Sequence, residues 1–194
     1  MSTSAPTPHA PPAVRVMGVD PGLRVTGYSI IETRPRGPHI CEAGVIRTME
    51  GTKTTDLGKR ISVLYNGIVE VVDQYHPQTM VVEQLFAHYD HPRTAILMAH
   101  ARGVILLAAA QRRIPVVSYT APRIKKSITG SGRATKEQMQ HAIRRELNLT
   151  KLPEPHDVAD ALAAALCHYC QTRLMGKGVP GRAGWVNAPE ESGH

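Results

Sequence analysis

The feature that most constrains the fold of this chain is an alternation of short β-prone runs with long stretches of helical period. Three β-prone runs come first, at residues 14–19, 25–31 and 43–48, and the turn and loop signals between them are those of an antiparallel meander. Two more, at 79–82 and 115–119, each follow a helical pattern. This order predicts an α/β domain with a mixed five-stranded sheet flanked by helices.

Four helices are predicted from apolar periodicity and capping signals. They run from a cap at Thr54 or Thr55 to the stop at Pro77, over 94–111, from the capping box Thr135-x-x-Gln138 to Leu147, and from 157 to about 172. The second helix is apolar around most of its circumference. Such a helix is usually covered on two sides, so we expect the sheet on one side and another helix or a second subunit on the other.

The two ends of the chain differ from the middle in composition. Residues 1–13 are rich in Pro, Ser and Thr and lack the apolar core of a secretory signal. After residue 173, Gly and Pro dominate and the periodicity is lost. We therefore expect one folded domain at 14–173, with disordered extensions at 1–13 and 174–194. No membrane span is expected, because no run of eighteen apolar residues occurs.

The charge balance favours a polyanionic partner. Lys and Arg number 23 against 16 acidic residues, which gives a net charge of +7. Basic side chains neutralise phosphates and release counterions, so nucleic acid is the natural candidate, although a basic and inert surface has the same composition. The three cysteines are too few for a disulfide scaffold and indicate a cytoplasmic location.

Four acidic residues stand out because apolar or Ala-rich sequence surrounds them. Asp20 and Glu83 each end a buried strand, where ligand sites of α/β sheets lie, and Asp157 and Asp160 share one helix face. Carboxylate oxygens select Mg²⁺ or Mn²⁺, and two such ions would activate water and stabilise the leaving oxygen of a phosphodiester. Each acid alone could instead form a turn or complement a helix N-terminus.

Several motifs around these acids resemble those of the RuvC family of Holliday-junction resolvases, in order and spacing. They are GVDPGLRVTG at 18–27, VEQLF at 82–86, ARG at 101–103, KKSITGSGRATK at 125–136 and DVADALA at 157–163. Any one of these motifs alone is weak evidence for the resemblance, but the whole set in this order is strong evidence for it. The resemblance covers roughly residues 14–171, so that only the two tails fall outside it.

The resemblance implies a ribonuclease H-like fold and a metal-dependent endonuclease that resolves Holliday junctions by symmetric phosphodiester hydrolysis in DNA recombination and repair. Asp20, Glu83, Asp157 and Asp160 match the family's catalytic, metal-binding carboxylates. Some members carry His where Asp157 stands here. In this sequence His156 precedes that position, and we interpret it as a neighbour rather than a ligand.

The basic residues between the second and third motifs are candidates for DNA contacts. Lys125 and Lys136 match family positions that face DNA, and Arg123, Lys126 and Arg133 add charge nearby. Lys and Arg on loops hold a phosphate backbone without reading its sequence. The alternative interpretation is that these basic residues form an ordinary solvent-exposed surface with no binding role.

Phe86, the only Phe in the chain, lies three residues after Glu83. By residue type alone it would be a core residue, whereas the resemblance places it at the junction crossover as a wedge that stacks on bases. Base stacking on an aromatic ring contributes about 1–3 kcal/mol. His88, Asp90 and His91 could indicate a second metal site, but we interpret them as a polar loop after Phe86.

Symmetry suggests the assembly. A four-way junction is close to two-fold symmetric, so paired nicks call for an isologous homodimer, and the helix at 94–111 is the candidate seam. The resemblance also implies a branch-migration motor of the RuvAB kind as a partner.

Three alternative functions fit parts of the sequence. An actin-like ATPase would need a second Gly-x-Asp-x-Gly turn, which this short chain lacks. A non-catalytic nucleic-acid-binding module would not need all four carboxylates. A ribonuclease H-like RNA-processing nuclease differs from a resolvase only in motif detail, so a cleavage assay on a junction and on RNA separates the two.

Overall fold

The structure is a computed structural model that describes residues 13–49, 56–84, 92–174 and 186–187. The chain begins with three strands, β1 (Arg15–Asp20), β2 (Val25–Arg34) and β3 (Gly37–Arg47). β2 pairs antiparallel with both β1 and β3. The predicted antiparallel meander is therefore confirmed.

Helices and parallel strands alternate in the rest of the chain. The elements are α1 (Leu57–Tyr75), β4 (Thr79–Glu83), α2 (Pro92–Gln111), β5 (Val116–Tyr119), α3 (Ala121–Thr129), α4 (Lys136–Glu146), α5 (His156–Leu174) and β6 (Val186–Asn187). The sheet has the order β3-β2-β1-β4-β5-β6, and β4 pairs parallel with both β1 and β5. The five predicted strands thus form the predicted mixed sheet, and β6 adds a short sixth.

Helices cover both faces of this sheet and create two cores. On one face, α5 packs against β1 and β2, and α3 and α4 pack around α5. On the other face, α1 and α2 enclose a second core that includes Met17, Leu64, Met80 and Ile105. Because β1 and β4 are the middle strands, both faces bury their side chains, as their apolar sequences require.

Two local predictions need correction. The N-cap of α1 is Asp56, whose carboxylate accepts a hydrogen bond from the Lys59 amide at 3.3 Å, rather than Thr54 or Thr55. The helix α3 was not predicted at all. It is capped by Thr120, ends at Gly130 and has only nine residues, so its apolar pattern is too short to be recognised by periodicity alone. The capping box of Thr135 and Gln138 is confirmed.

The predictions for the tails and for the membrane remain open. β6 lies within the C-terminal segment that was expected to be disordered, and its Val186 pairs with Val117 of β5. The rest of that segment and the first twelve residues lie outside the described part. One helix in the described part, Thr94–Gln111, is long and apolar enough to cross a membrane. Core helices of soluble proteins pass the same test, so the expected absence of a membrane span stays a prediction.

Candidate active site

The ends of the two middle strands bring Asp20 and Glu83 side by side. Val19 of β1 pairs in parallel with Val82 of β4, so the next residue of each strand emerges at the same edge of the sheet. The turn that follows Asp20 is closed by Thr26, whose hydroxyl donates to the Gly22 carbonyl at 2.6 Å. This turn directs the chain from β1 back into β2.

Two glycines let α5 lie close against the sheet at this edge. Gly27 pairs with Asp20 across β1 and β2, and a side chain there would collide with the carbonyl oxygen of Asp157. A side chain at Gly18 would collide in the same way with the carbonyl oxygen of Ala161. The close approach places the first turns of α5, which carry Asp157 and Asp160, beside the end of β1.

A buried hydrogen bond fixes α5 at that position. The hydroxyl of Ser29, on β2, donates to the carbonyl oxygen of Ala161 at 2.9 Å. Ser29 is completely buried, and an unsatisfied hydroxyl there would be costly, so the bond favours one register of helix against strand.

The four carboxylates interact electrostatically. Burial, together with the negative charges of Asp160, Glu83 and Asp157, raises the pKa of Asp20 to about 8. Burial also raises the pKa of Glu83, with a contribution from Asp160. The pKa of Asp160 is raised by burial and by Asp157. Each carboxylate therefore lies within electrostatic range of at least one other, and Asp20 is within range of all three.

The donor set fits a hard divalent cation, although the side chains are not gathered into a closed coordination shell. Within the described residues, no group of three or more His, Cys, Asp or Glu side chains is arranged to hold a metal ion. The carboxylates repel one another, and Lys125 and Lys136 offset only part of their charge, so a bound cation would stabilise the group. Carboxylate oxygens are the ligands that Mg²⁺ and Mn²⁺ prefer, so the residues present suit such an ion.

Two of the predicted basic residues lie close to the carboxylates. Lys125 lowers the pKa of Glu83, and Lys136 and Lys125 both lower the pKa of Asp160, which places their ammonium groups at the same edge of the sheet. They sit on α3 and at the start of α4, where backbone N–H groups also favour a phosphate.

The other three basic residues occupy different positions. The guanidinium of Arg123 lies 5.3 Å from the centroid of the Tyr119 ring and bonds to Gln171 at 3.4 Å. It is therefore held against β5 and α5. Lys126 and Arg133 are exposed on the surface, where they can meet a DNA backbone.

His156 is a neighbour of the site. Its Nδ1 lies 3.2 Å from the side-chain amide nitrogen of Gln140, which also donates to the Pro153 carbonyl at 3.3 Å. The nearby His156 ring also lowers the pKa of Asp160. Gln140 thus holds His156 at the first residue of α5. The interpretation of His156 as a neighbour rather than a ligand stays a prediction.

Sequence reasoning missed the environment of Arg102. Its guanidinium donates to the backbone carbonyl of Glu83 at 2.5 Å and to the Ser118 hydroxyl at 2.7 Å. A lone Arg inside an apolar helix was the signal that could have drawn attention to it, since burying a guanidinium is costly unless it is hydrogen-bonded.

Sequence reasoning also missed a second basic cluster. Arg60 donates to the Leu23 carbonyl at 3.1 Å, within the turn that follows Asp20. Arg24, in the same turn, is exposed. Phe86, His88, Asp90 and His91 lie outside the described residues, so the predictions for that loop stay predictions.

A mixed sheet of this order, with acidic side chains at the ends of its two middle strands and on the helix packed across them, defines a nuclease of the ribonuclease H-like class. The family model of the crossover junction endodeoxyribonuclease RuvC matches residues 16–168. The chain belongs to this family.

Curated relatives and solved structures agree with this assignment. The RuvC crossover junction endodeoxyribonuclease of Rhodopirellula baltica is 48% identical over 172 residues, 87% of this chain and 94% of the relative. That of Hydrogenovibrio crunogenus is 43% identical over 79% of this chain and 86% of its own.

Among solved structures, Thermus thermophilus RuvC in complex with a Holliday junction substrate superposes with a TM-score of 0.76 at 27% identity, over 84% of this chain and 96% of that one. The yeast mitochondrial Holliday junction resolvase Ydc2 shares the fold, with a TM-score of 0.56 at 16% identity over 85% of this chain and 82% of its own.

Proposed function

We propose that this endonuclease resolves four-way DNA junctions by hydrolysing phosphodiesters at the site formed by Asp20, Glu83, Asp157 and Asp160. The observation that carries the proposal is the electrostatic coupling of Asp20 to the other three carboxylates at one edge of the sheet. A Thermus thermophilus relative that matches over 84% of this chain forms a complex with a Holliday junction substrate. As a member of the family, the enzyme depends on a metal, and we assign the ions as Mg²⁺ or Mn²⁺, two per site.

The chain's own residues set up the reaction. When bound, the metal supplies a nucleophilic water at neutral pH and neutralises charge on the leaving oxygen. Asp20 and Glu83 offer ligands from rigid strand ends, and α5 offers Asp157 and Asp160 from the opposite side. Partial burial of the carboxylates keeps bulk water away, which strengthens their interaction with a cation. Lys125 and Lys136 hold the phosphate backbone next to them.

Replacing one carboxylate by its amide separates chemistry from binding. Asp20→Asn and Glu83→Gln should lower junction cleavage at least about a hundredfold, because each removes a preorganised charge from the site. Binding of the junction should be kept or become tighter, since a negative charge facing DNA is lost. The matched control is Asp73→Asn, an exposed acid paired with Arg112. Cleavage by either site variant at the control's rate would refute the assignment.

A choice of substrates tests the alternative nuclease. The wild-type enzyme should cut a four-way DNA junction and leave duplex and structured RNA intact. Preferential cutting of RNA would instead favour the RNA-processing activity. A protein that binds junctions without cutting them in Mg²⁺ or Mn²⁺ would be the non-catalytic binding module.

The identity of the metal is tested by substitution. Ca²⁺ should support junction binding but little cleavage, because its larger and looser coordination positions the water poorly. Cleavage rates in Mg²⁺, Mn²⁺ and Ca²⁺, measured at saturating concentrations on the same junction, check this. Equal rates in Ca²⁺ and Mg²⁺ would argue against the two-ion assignment.

The proposed assembly is a homodimer with α2 at the seam. Ile96 and Leu107 on α2 are 57% and 51% exposed in the single chain. They line an apolar groove with Ile61, Ala99, His100, Gly103 and Val104. A second copy is the occupant that we assign, because two nicks on a two-fold symmetric junction need two sites related by the same symmetry.

We further propose that a branch-migration motor delivers the junction and that the enzyme works in the cytoplasm. The proposed DNA substrate supports both, since the relatives are bacterial proteins and the bacterial chromosome lies in that compartment. The folded unit is taken as residues 14–173, which contains every residue matched by the family model. The segments at 1–13 and 174–194 are proposed to be disordered.

Phe86 is proposed to be the wedge at the crossover. In the sequence it follows Glu83, the last residue of β4, by three residues. If so, Phe86→Ala should cut pre-nicked junctions almost normally and intact junctions slowly, since only the intact ones require unstacking at the branch point. If Phe86 is a core residue, the variant should lose about 3–5 kcal/mol of stability and cut both substrates poorly. Thermal melting beside the two cleavage assays separates these outcomes.

A further inference from the structure

Arg102 makes an unusual pair of contacts at the back of the active site. From the middle of α2 its guanidinium reaches across to the ends of two strands, where it donates to the Glu83 carbonyl of β4 and to the Ser118 hydroxyl of β5. Within the part of the chain that the structure describes, no carboxylate lies within ion-pair distance of it. Its partners are therefore one backbone carbonyl and one hydroxyl at the strand ends.

The contact acts on the backbone of Glu83 and not on its carboxylate. The carboxylate interacts with Asp160 and Lys125, and Arg102 does not contribute to its pKa. On the other side of the same peptide group, the Gln84 amide donates to the Tyr119 carbonyl at 2.9 Å. The peptide that joins Glu83 to Gln84 is therefore held at both its oxygen and its nitrogen.

The base of Arg102 is itself rigid. Ala101, which precedes it, and Ile105, one turn further along α2, are both completely buried. A planar guanidinium presents its donors in a fixed fork, so two bonds from a rigid helix define the position of the carbonyl they meet more closely than a flexible ammonium would. The last peptide of β4 thus has little freedom to turn.

We propose that Arg102 is a positioning residue that holds the Glu83 peptide and thereby aims the Glu83 carboxylate at the metal site. The inference rests on the proposed role of Glu83 as a ligand. Groups behind a metal ligand commonly change metal affinity or activity by about 10–100-fold when they are removed. The competing explanation is that Arg102 only ties α2 to the sheet, in which case its loss should lower stability without a specific effect on metal binding.

Three substitutions separate the two explanations. Arg102→Gln removes the fork, Arg102→Lys restores the charge with poorer geometry, and Arg112→Gln breaks an ion pair between the end of α2 and Asp73 on α1 as a matched control. We expect Arg102→Gln to weaken Mn²⁺ binding and to lower kcat, each about tenfold or more. Junction affinity measured in Ca²⁺ should stay within about twofold. Arg102→Lys should recover part of the loss, and the control should change neither quantity.

A second measurement needs no metal. Hydrogen exchange of the Gln84 amide should be faster in metal-free Arg102→Gln than in the wild type, while the amides of α1 keep their protection. Ser118→Ala, which removes one of the two contacts and leaves Arg102 in place, should shift both exchange and Mn²⁺ affinity in the same direction by a smaller factor. If Arg102→Gln does not fold, Ser118→Ala alone tests the proposal.

The outcomes distinguish this inference from the proposed function. Unchanged Mn²⁺ affinity and kcat in a folded Arg102→Gln, or in Ser118→Ala where only that variant folds, would overturn the positioning role and leave the carboxylate site intact. Cleavage by Glu83→Gln at the wild-type rate would instead refute the assignment of the carboxylate site itself. A loss of activity in Arg102→Gln that follows its lower melting temperature, with Mn²⁺ affinity unchanged, would also show that the contact is only structural.

Discussion

The helices α2 and α5 are similar in sequence and different in use. Both have about twenty residues, rich in Ala and Leu, and neither has a pronounced polar face. In α5 every residue from Ala161 to Tyr169 is buried, because the sheet covers one side and α3 and α4 cover the other. In α2 the inner side packs on the sheet and α1, whereas Ile96 and Leu107 face outwards.

The difference shows what the sequence of an apolar helix can predict. It indicates how much of the helix surface must be buried, but it does not indicate which element or subunit buries it. The elements that cover α5 belong to the same chain, and its polar residues are confined to its ends, where Asp157 and Asp160 meet the strand ends. Among the residues that the structure describes, α2 is covered on one side only. We therefore propose that α5 supplies two of the metal ligands and that the outer side of α2 mediates assembly, while the inner side of α2 carries Arg102. The predictions below test that division between α5 and the outer side of α2.

The largest effect is expected at the carboxylate end of α5. Asp160→Asn should lower the cleavage rate at least about a hundredfold, with junction binding retained, because the substitution removes a charge from the site and leaves the helix packed. Glu154→Gln, in the exposed segment just before α5, is the control. Single-turnover cleavage and a binding titration on the same junction are the measurements. Equal rates for the two variants would mean that α5 carries no catalytic ligand.

Charged substitutions on the outer side of α2 should change assembly without changing the fold. Ile96→Glu combined with Leu107→Glu should convert a dimer to a monomer in size-exclusion chromatography with light scattering. Nicks in one strand should then accumulate, because the two cuts are no longer coordinated. The melting temperature should change little in the monomer, since both side chains are exposed in the single chain. Val63→Glu on α1, which is 46% exposed, is the control.

A smaller effect is expected from adding one carbon beneath α5. Gly18→Ala forces a side chain against the Ala161 carbonyl, and overpacking of this kind costs about 1–3 kcal/mol. The melting temperature should fall by about 2–4 °C for each kcal/mol in a chain of this size, and cleavage should fall with it as α5 is displaced. Gly58→Ala on α1, where only a flexible Asp56 side chain is near, should be almost neutral. An unchanged Gly18→Ala variant would contradict the tight contact.

The smallest effect is a pH dependence of the metal-free protein. In the folded chain the pKa of Asp20 is raised to about 8, whereas the ordinary pKa of an Asp side chain is 3.8. Between these two values the folded state binds more protons than the unfolded state, so stability should fall as the pH rises through that window. Mn²⁺ should raise the melting temperature more at pH 8 than at pH 5, because protons compete for the same oxygens. Asp20→Asn should flatten both trends.

Much of the fold follows from periodicity and capping signals. The strands β1 to β5 and the helices α1, α2, α4 and α5 have strong apolar patterns or clear stops, and the capping box at Thr135 is confirmed. The helix α3 was missed because it has only nine residues, and the two isoleucines of its inner face, Ile124 and Ile128, are too few to establish a period. The cap of α1 was placed at a Thr rather than at Asp56 because all three residues can cap, and only the path of the chain decides among them.

The candidate site was predicted as a set of residue types and not as a geometry. Acids at the ends of apolar runs are visible in the sequence, and so are the lysines in the basic segment at 125–136. The raised pKa of Asp20 depends on burial and on three partners distant in sequence, which no local pattern contains. The same holds for Arg102, whose partners Glu83 and Ser118 are 19 and 16 residues away.

Gly18 and Gly27 have a consequence for how such an enzyme can change over evolutionary time. Because both strands lack side chains where α5 rests, any larger residue at either position moves the helix as a rigid body. Asp157 and Asp160 would then be displaced together, and neither could be adjusted alone. Substitutions that would move this backbone in small steps are therefore not accessible, because the first added carbon at either glycine already collides with α5. Changes in metal preference or rate must therefore arise from exchanges of the side chains around α5, while the depth of the helix is inherited unchanged.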